Sequence, residues 1–163
     1  MSIVSYATNH YDKSNFEDPL FQLISYVYNE EKTEGIYGGI NTSSNPKVAI
    51  TEMKNVKSYF MKNDGRELIH IIVSDPIFDA INLNMALLIG YCIGSYYKNR
   101  FQVFFGFHHQ QHKGNSCNHF HFIINSVSLF NGSKYNESFA ERDIFKAYVE
   151  NVISNIKNGE YIK

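Results

Sequence analysis

His119-Phe120-His121-Phe122-Ile123-Ile124-Asn125-Ser126-Val127-Ser128 opens with a strict alternation of imidazole and phenyl side chains. An extended strand turns successive side chains to opposite faces. His119 and His121 therefore share one face, and Phe120 and Phe122 share the other. Two same-face imidazoles, roughly 6–7 Å apart along a strand, are spaced to converge on one divalent ion. A third ligand has a natural source upstream. Phe101–Phe107 reads as a second aromatic and β-branched strand, and His108 follows it directly. An antiparallel pairing sets the end of one strand beside the start of the next, so His108 comes to His119. His112, in the polar stretch between the strands, is the alternative third ligand. Cys117 alternates in register with the two histidines. Structural zinc sites, however, use Cys pairs at short spacing, and the other cysteine, Cys92, falls within a helix-like segment.

Downstream, Asn131-Gly132 is a hairpin signal leading into Lys134-Tyr135, and residues from Glu137 or Ser138 to about 157–158 form an amphipathic C-terminal helix. Upstream, 67–74 is a buried strand stopped by Asp75-Pro76. A long apolar helix over 77–98 carries Gly90 and Gly94 as a small-residue seam toward the strands. Pro46 begins a helix running to about Lys62, and 30–45 reads as loop with a brief extended piece at 36–40. Residues 15–28 form a first helix capped by Ser14 or Asn15, and 1–7 form a first strand. This order implies an α+β domain across 1–163. It has a single antiparallel-dominated β-sheet, the His-x-His strand at its centre, and helices packed on it.

The chain has 163 residues, a formal net charge of −1 and 44% hydrophobic residues, including 13 Phe and 12 Tyr. That apolar content excludes global disorder. No window approaches the ~18 consecutive apolar residues of a membrane span, and the N-terminus has no basic-then-apolar leader. Two cysteines make no disulfide framework, which points to a reducing cytoplasm. Net charge near zero argues at first against nucleic acid, whose phosphates draw Lys and Arg.

The motifs nevertheless resemble a DNA-processing family. The stretch 119–128, followed by Asn131-Gly132-Ser133-Lys134-Tyr135, is similar to the signature strand and hairpin of plasmid mobilization relaxases of the VirD2/MobA type, His-hydrophobic-His endonucleases. In the same order, Tyr26-Val27-Tyr28-Asn29-Glu30-Glu31-Lys32-Thr33 resembles the segment carrying that family's nucleophilic tyrosine. Residues 49–60 resemble the helix after it, 62–70 the next turn and strand, and 100–108 the strand delivering the first metal histidine. The resemblance spans about 1–137.

It implies that His108, His119 and His121 bind Mg²⁺ or Mn²⁺ and that Tyr26, with Tyr28 as runner-up, attacks a phosphodiester of single-stranded DNA at a transfer origin. The products would be a 5′-phosphotyrosyl link and a free 3′-hydroxyl. Asn125 shares the strand face with the histidines and is a supporting residue, whereas His70 reads as a satisfied strand histidine, with a place near the site as its alternative. Accessory mobilization proteins are the further expected partners. Two alternatives stand beside this: a truncated or inactive relaxase-like module that only binds DNA, and a replication-initiating nuclease of the same superfamily.

Gln110 stands where the family usually has an acid, which implies a weaker metal site. The 108–119 loop is also longer than usual, and a chain of this length implies that part of a relaxase's grip on DNA is missing. Acidic residues concentrate in the first 34 positions, whereas Lys47, Lys54, Lys57, Lys62 and Arg66 follow. Lys54, Lys57 and Arg66 are the expected DNA-contacting cations, and a bound divalent ion would add positive charge where phosphate sits.

Overall fold

The His-x-His strand, β7 (His119–Asn125), lies at the middle of a five-stranded sheet ordered β1-β3-β7-β4-β2. Its partners are β1 (Ile3–Tyr6), β2 (Tyr37–Ile40), β3 (Leu68–Ser74) and β4 (Val103–His108), and every neighbouring pair is antiparallel. A two-stranded hairpin, β5 (Gln111–His112) and β6 (Asn115–Ser116), sits between β4 and β7 in the chain. The computed structural model describes residues 1–8, 11–14, 16–109, 111–112, 115–116 and 118–159, without the side chains of 111–112 and 115–116. His112's side chain and Gln110 and Cys117 therefore lie outside the described residues, as does Asn15.

The two sheet faces carry different cargo. One face presents Phe120, Phe122 and Ile124 of β7 with Phe105 and Phe107 of β4. It is covered by α4 (Leu83–Gly94) and α5 (Phe139–Lys157) in the larger core. Burying a side chain of this size stabilises the fold by roughly 1.5–3 kcal/mol. Gly90 is what brings α4 close: a Cβ there would collide with the Phe105 ring. The opposite face carries Leu68, Phe104 and Ile123 under α1 (Pro19–Val27) and α3 (Pro46–Tyr59). The histidines of β7 and β4 belong to this second face.

Several expected boundaries shift, each for a local reason. The single helix expected over 77–98 is a one-turn 3-10 segment, Pro76–Asp79, then α4, then a second 3-10 turn, Ser95–Tyr97. Asp75 caps the first piece through Ile77 N, and Asn82 caps α4 through Met85 N, so the chain restarts instead of running through. The first helix begins late, at Pro19, because Asp18 accepts from Phe21 N and Pro suits the first helical position. The acidic stretch read as loop holds a one-turn helix, α2 (Glu30–Thr33), capped by Asn29, before β2. The C-terminal helix starts at its expected cap. Ser138 and Glu141 form a reciprocal capping box.

Candidate active site

Three imidazoles meet where β4 ends and β7 begins. Register pairs His108 with His119 and Gly106 with His121. One nitrogen from each of His108, His119 and His121 lies within 4.8 Å of the other two, a spacing that one ion can bridge. His119 Nε2 and His121 Nε2 are 3.0 Å apart. His108 donates its Nε2–H to the main-chain carbonyl of Val27 at 3.0 Å. That bond fixes the tautomer and leaves the buried Nδ1 with a lone pair and no hydrogen-bonding partner among the described residues. An orphaned, desolvated acceptor beside two further imidazoles suits a cation that accepts nitrogen ligands.

Burial disfavours charge on His108 and His121. Burial lowers His108 to about 4 against its Val27 hydrogen bond, with His119 adding to the fall. Burial also lowers His70 to about 4, and it drives His121 far below the ordinary histidine range, helped by the neighbouring imidazoles. Neutral imidazole is the metal-binding form.

Tyr26 stands over this cluster. Its ring lies edge-on to His108 and to His121, with centroids 5.2 and 5.3 Å away. It is 42% exposed, so part of the side chain faces solvent. The placement follows from the end of α1. Gly106 of β4 has no side chain, and a Cβ there would strike the Val27 carbonyl, so the last turn of α1 presses onto the sheet at this point. The Lys32 ammonium of α2 sits 4.6 Å from the centre of the Tyr26 ring. Tyr28, two residues on, faces away and packs edge-on to Tyr37.

The remaining expected residues are not gathered here. Asn125 is fully buried at the other end of β7, donating to the Met53 carbonyl and to Gln102. Four residues at strand rise put it about 13 Å beyond His121. Lys54 pairs with Asp18, the cap at the far end of α1. Lys57 is only 3% exposed and is held by Glu67 at 2.7 Å, so it is a buried ion pair and not a surface cation. Arg66 precedes β3 at the same far end, where Leu68 pairs with Asn125.

Lys32 carries no signal in the sequence, and His70 is both a satisfied strand histidine and a neighbour of the cluster. His70 Nε2 lies 2.8 Å from His121 Nδ1. Beside His119 opens a cleft of about 510 Å³ lined by Ile3, Ile72, Ser74, Asp79 and Asn118.

A family model of the MobA/VirD2-like relaxase nuclease domain matches residues 26–154. The chain belongs to that relaxase family. The matched span takes in the cluster, Tyr26 and most of α5. This relaxase domain also has the fold of a structure solved in work on the molecular basis of vancomycin resistance transfer in Staphylococcus aureus. The TM-score is 0.66 at 13% identity, covering 98% of this chain and 94% of the other. No curated protein matches it. Membership in a relaxase nuclease family implies DNA binding and places the three-histidine cluster in a nuclease setting. No described helix of the relaxase domain is long and apolar enough to cross a membrane.

Proposed function

We propose that this relaxase-family chain, one domain over 1–163, nicks and rejoins single-stranded DNA at the transfer origin of a plasmid or other mobile element, in the cytoplasm and with accessory mobilization proteins. The observation that carries the reading is the edge-on stacking of Tyr26 on two of three clustered imidazoles. His108 through Nδ1, with His119 and His121, would hold Mg²⁺ or Mn²⁺, and the ion when bound supplies Lewis-acid polarisation of a phosphate oxygen.

The chain's own residues do the rest. Tyr26 Oη forms a bond to phosphorus while the bond from phosphorus to O3′ breaks. Solvent at the exposed ring takes the phenolic proton, and the departing O3′ takes up a proton to become a free 3′-hydroxyl. The DNA remains attached through a 5′-phosphotyrosyl ester, whose energy is available for the reverse reaction. The carbonyl of Val27 holds His108 in one orientation, so the geometry is set before substrate arrives. The cleft beside His119 leaves open space at that edge of the cluster.

The test is a nicking assay on single-stranded oligonucleotides with Mn²⁺, scored for a denaturation-resistant protein–DNA adduct. Adduct lost in Tyr26→Phe and retained in Tyr28→Phe is the expected result. The reverse pattern moves the nucleophile to Tyr28, and DNA binding with no adduct in the unaltered chain leaves only a binding module.

A further inference from the structure

His121 is engaged on both ring nitrogens. Nε2 faces His119 and the cluster, and Nδ1 lies 2.8 Å from Nε2 of His70. His70 in turn holds its own Nδ1 at 3.1 Å from the Tyr11 hydroxyl. Both His70 and Tyr11 are buried. The sheet register explains the reach: His121 is opposite Ile72 on β3, and His70 is the next residue along that face, a diagonal neighbour.

We propose that His70 is a positioning residue of the cation site, fixing the tautomer and ring plane of His121 through a directed relay from His121 to His70 to Tyr11. The inference rests on the cluster being a cation site, as set out under the proposed function. The direction follows from valence. To offer an Nε2 lone pair to an ion, neutral His121 must carry its proton on Nδ1 and donate it to His70 Nε2. His70 Nε2 must then be the bare nitrogen, which puts the His70 proton on Nδ1, directed at the Tyr11 oxygen. Every group in the relay stays neutral. The ligand is therefore oriented by its acceptor without that acceptor adding negative charge, and the ion keeps its Lewis acidity at the expense of affinity.

The experiment is Mn²⁺ titration of the full chain without DNA, by calorimetry and by loss of the free-ion paramagnetic resonance signal. His70→Leu removes the acceptor and should weaken Mn²⁺ binding by about 10–100-fold, the usual scale for an outer partner of a metal-ligating histidine. His70→Gln, whose amide offers an acceptor and a donor a comparable distance apart, should restore binding to within a few-fold of the unaltered chain. Tyr11→Phe leaves His70 in place and should give a smaller loss, which covers the case in which His70→Leu does not fold. In the Mg²⁺-loaded protein, nitrogen-15 spectra should show His70 protonated on Nδ1.

Unaltered affinity in His70→Leu and Tyr11→Phe overturns the relay, as does the opposite His70 tautomer or a glutamine variant as weak as leucine. An unaltered chain that takes up no Mn²⁺ overturns the cation site itself and the relay with it. That result is distinct from an unaltered chain that binds the ion but does not nick DNA.

Discussion

The main-chain carbonyl of Val27 accepts the Nε2–H of His108 at 3.0 Å, joining the end of the first helix to the edge of the histidine cluster. Carbonyls in the last turn of a helix have no partner within it. Here one of them selects a tautomer, leaving His108 Nδ1 bare, while the residue before it sets the Tyr26 ring against His108 and His121. Candidate nucleophile and candidate ligand are thus positioned by one contact, and a change that moves α1 should disturb both.

Gly106→Ala tests that coupling. The added Cβ would overlap the Val27 carbonyl directly across the strand pair from His121. Overpacking at such a site costs about 1–3 kcal/mol. The variant should melt several degrees lower, lose at least ten-fold in adduct formation and bind Mn²⁺ more weakly. A variant with normal adduct yield would show that α1 is not seated by this contact.

The metal-free protein should lose stability as pH falls from about 6.5 toward 4. His70 and His108 titrate at about 4 in the folded state because burial opposes their charging, against the ordinary 6.5. Between those values the unfolded chain binds more protons than the folded one, so stability rises with pH across the window and is lost on acidification. Each group contributes up to about 1.4 kcal/mol per pH unit there. His121, depressed further, extends the decline below pH 4. Melting temperatures in chelator at pH 7, 6 and 5 check this, and a flat profile would contradict it.

What could be read in advance was whatever depended on period or on order along the chain. The alternation in 119–122 put two imidazoles on one face because strand geometry leaves no other choice. The expected central place of β7 matches its burial on both faces. The break at Asn82 was not legible, since an asparagine inside an apolar run becomes a cap only when its side chain meets Met85 N. The contact of His70 with His121 was not legible, because it is set by diagonal register across two strands, which no spacing within one segment encodes. Lys57 looked like a surface cation for the same reason: Glu67 reaches it only after the chain has turned from α3 into β3.

That buried pair gives its own prediction. Burial lowers Lys57 to about 8 even with Glu67 opposing the shift, so the ammonium depends on its carboxylate partner. Removing the partner alone by Glu67→Gln should destabilise the fold by about 3–5 kcal/mol, while Lys57→Met with Glu67→Leu should stay near the unaltered protein. Denaturant unfolding of the single and double variants measures both. Mn²⁺ affinity should not move in the double variant, because the pair lies at the end of the sheet away from His119.

Lys32 should affect binding and reaction in opposite directions. Its ammonium lies 4.6 Å from the centre of the Tyr26 ring, and its charge acts on His108 and His121 to disfavour further positive charge there. A cation in that place repels a divalent ion but attracts the phosphate that must come between the ion and the tyrosine. At a partly exposed site a unit charge a few ångströms away acts with about 1 kcal/mol, a few-fold in an equilibrium or a rate. Lys32→Met should therefore bind Mn²⁺ two- to five-fold more tightly, yet form adduct several-fold more slowly at saturating metal. The loss should shrink as salt is raised, because the unaltered lysine is itself screened. Slower adduct formation with weaker metal binding would instead mean that Lys32 acts by holding Tyr26 in place, through its contact with the ring.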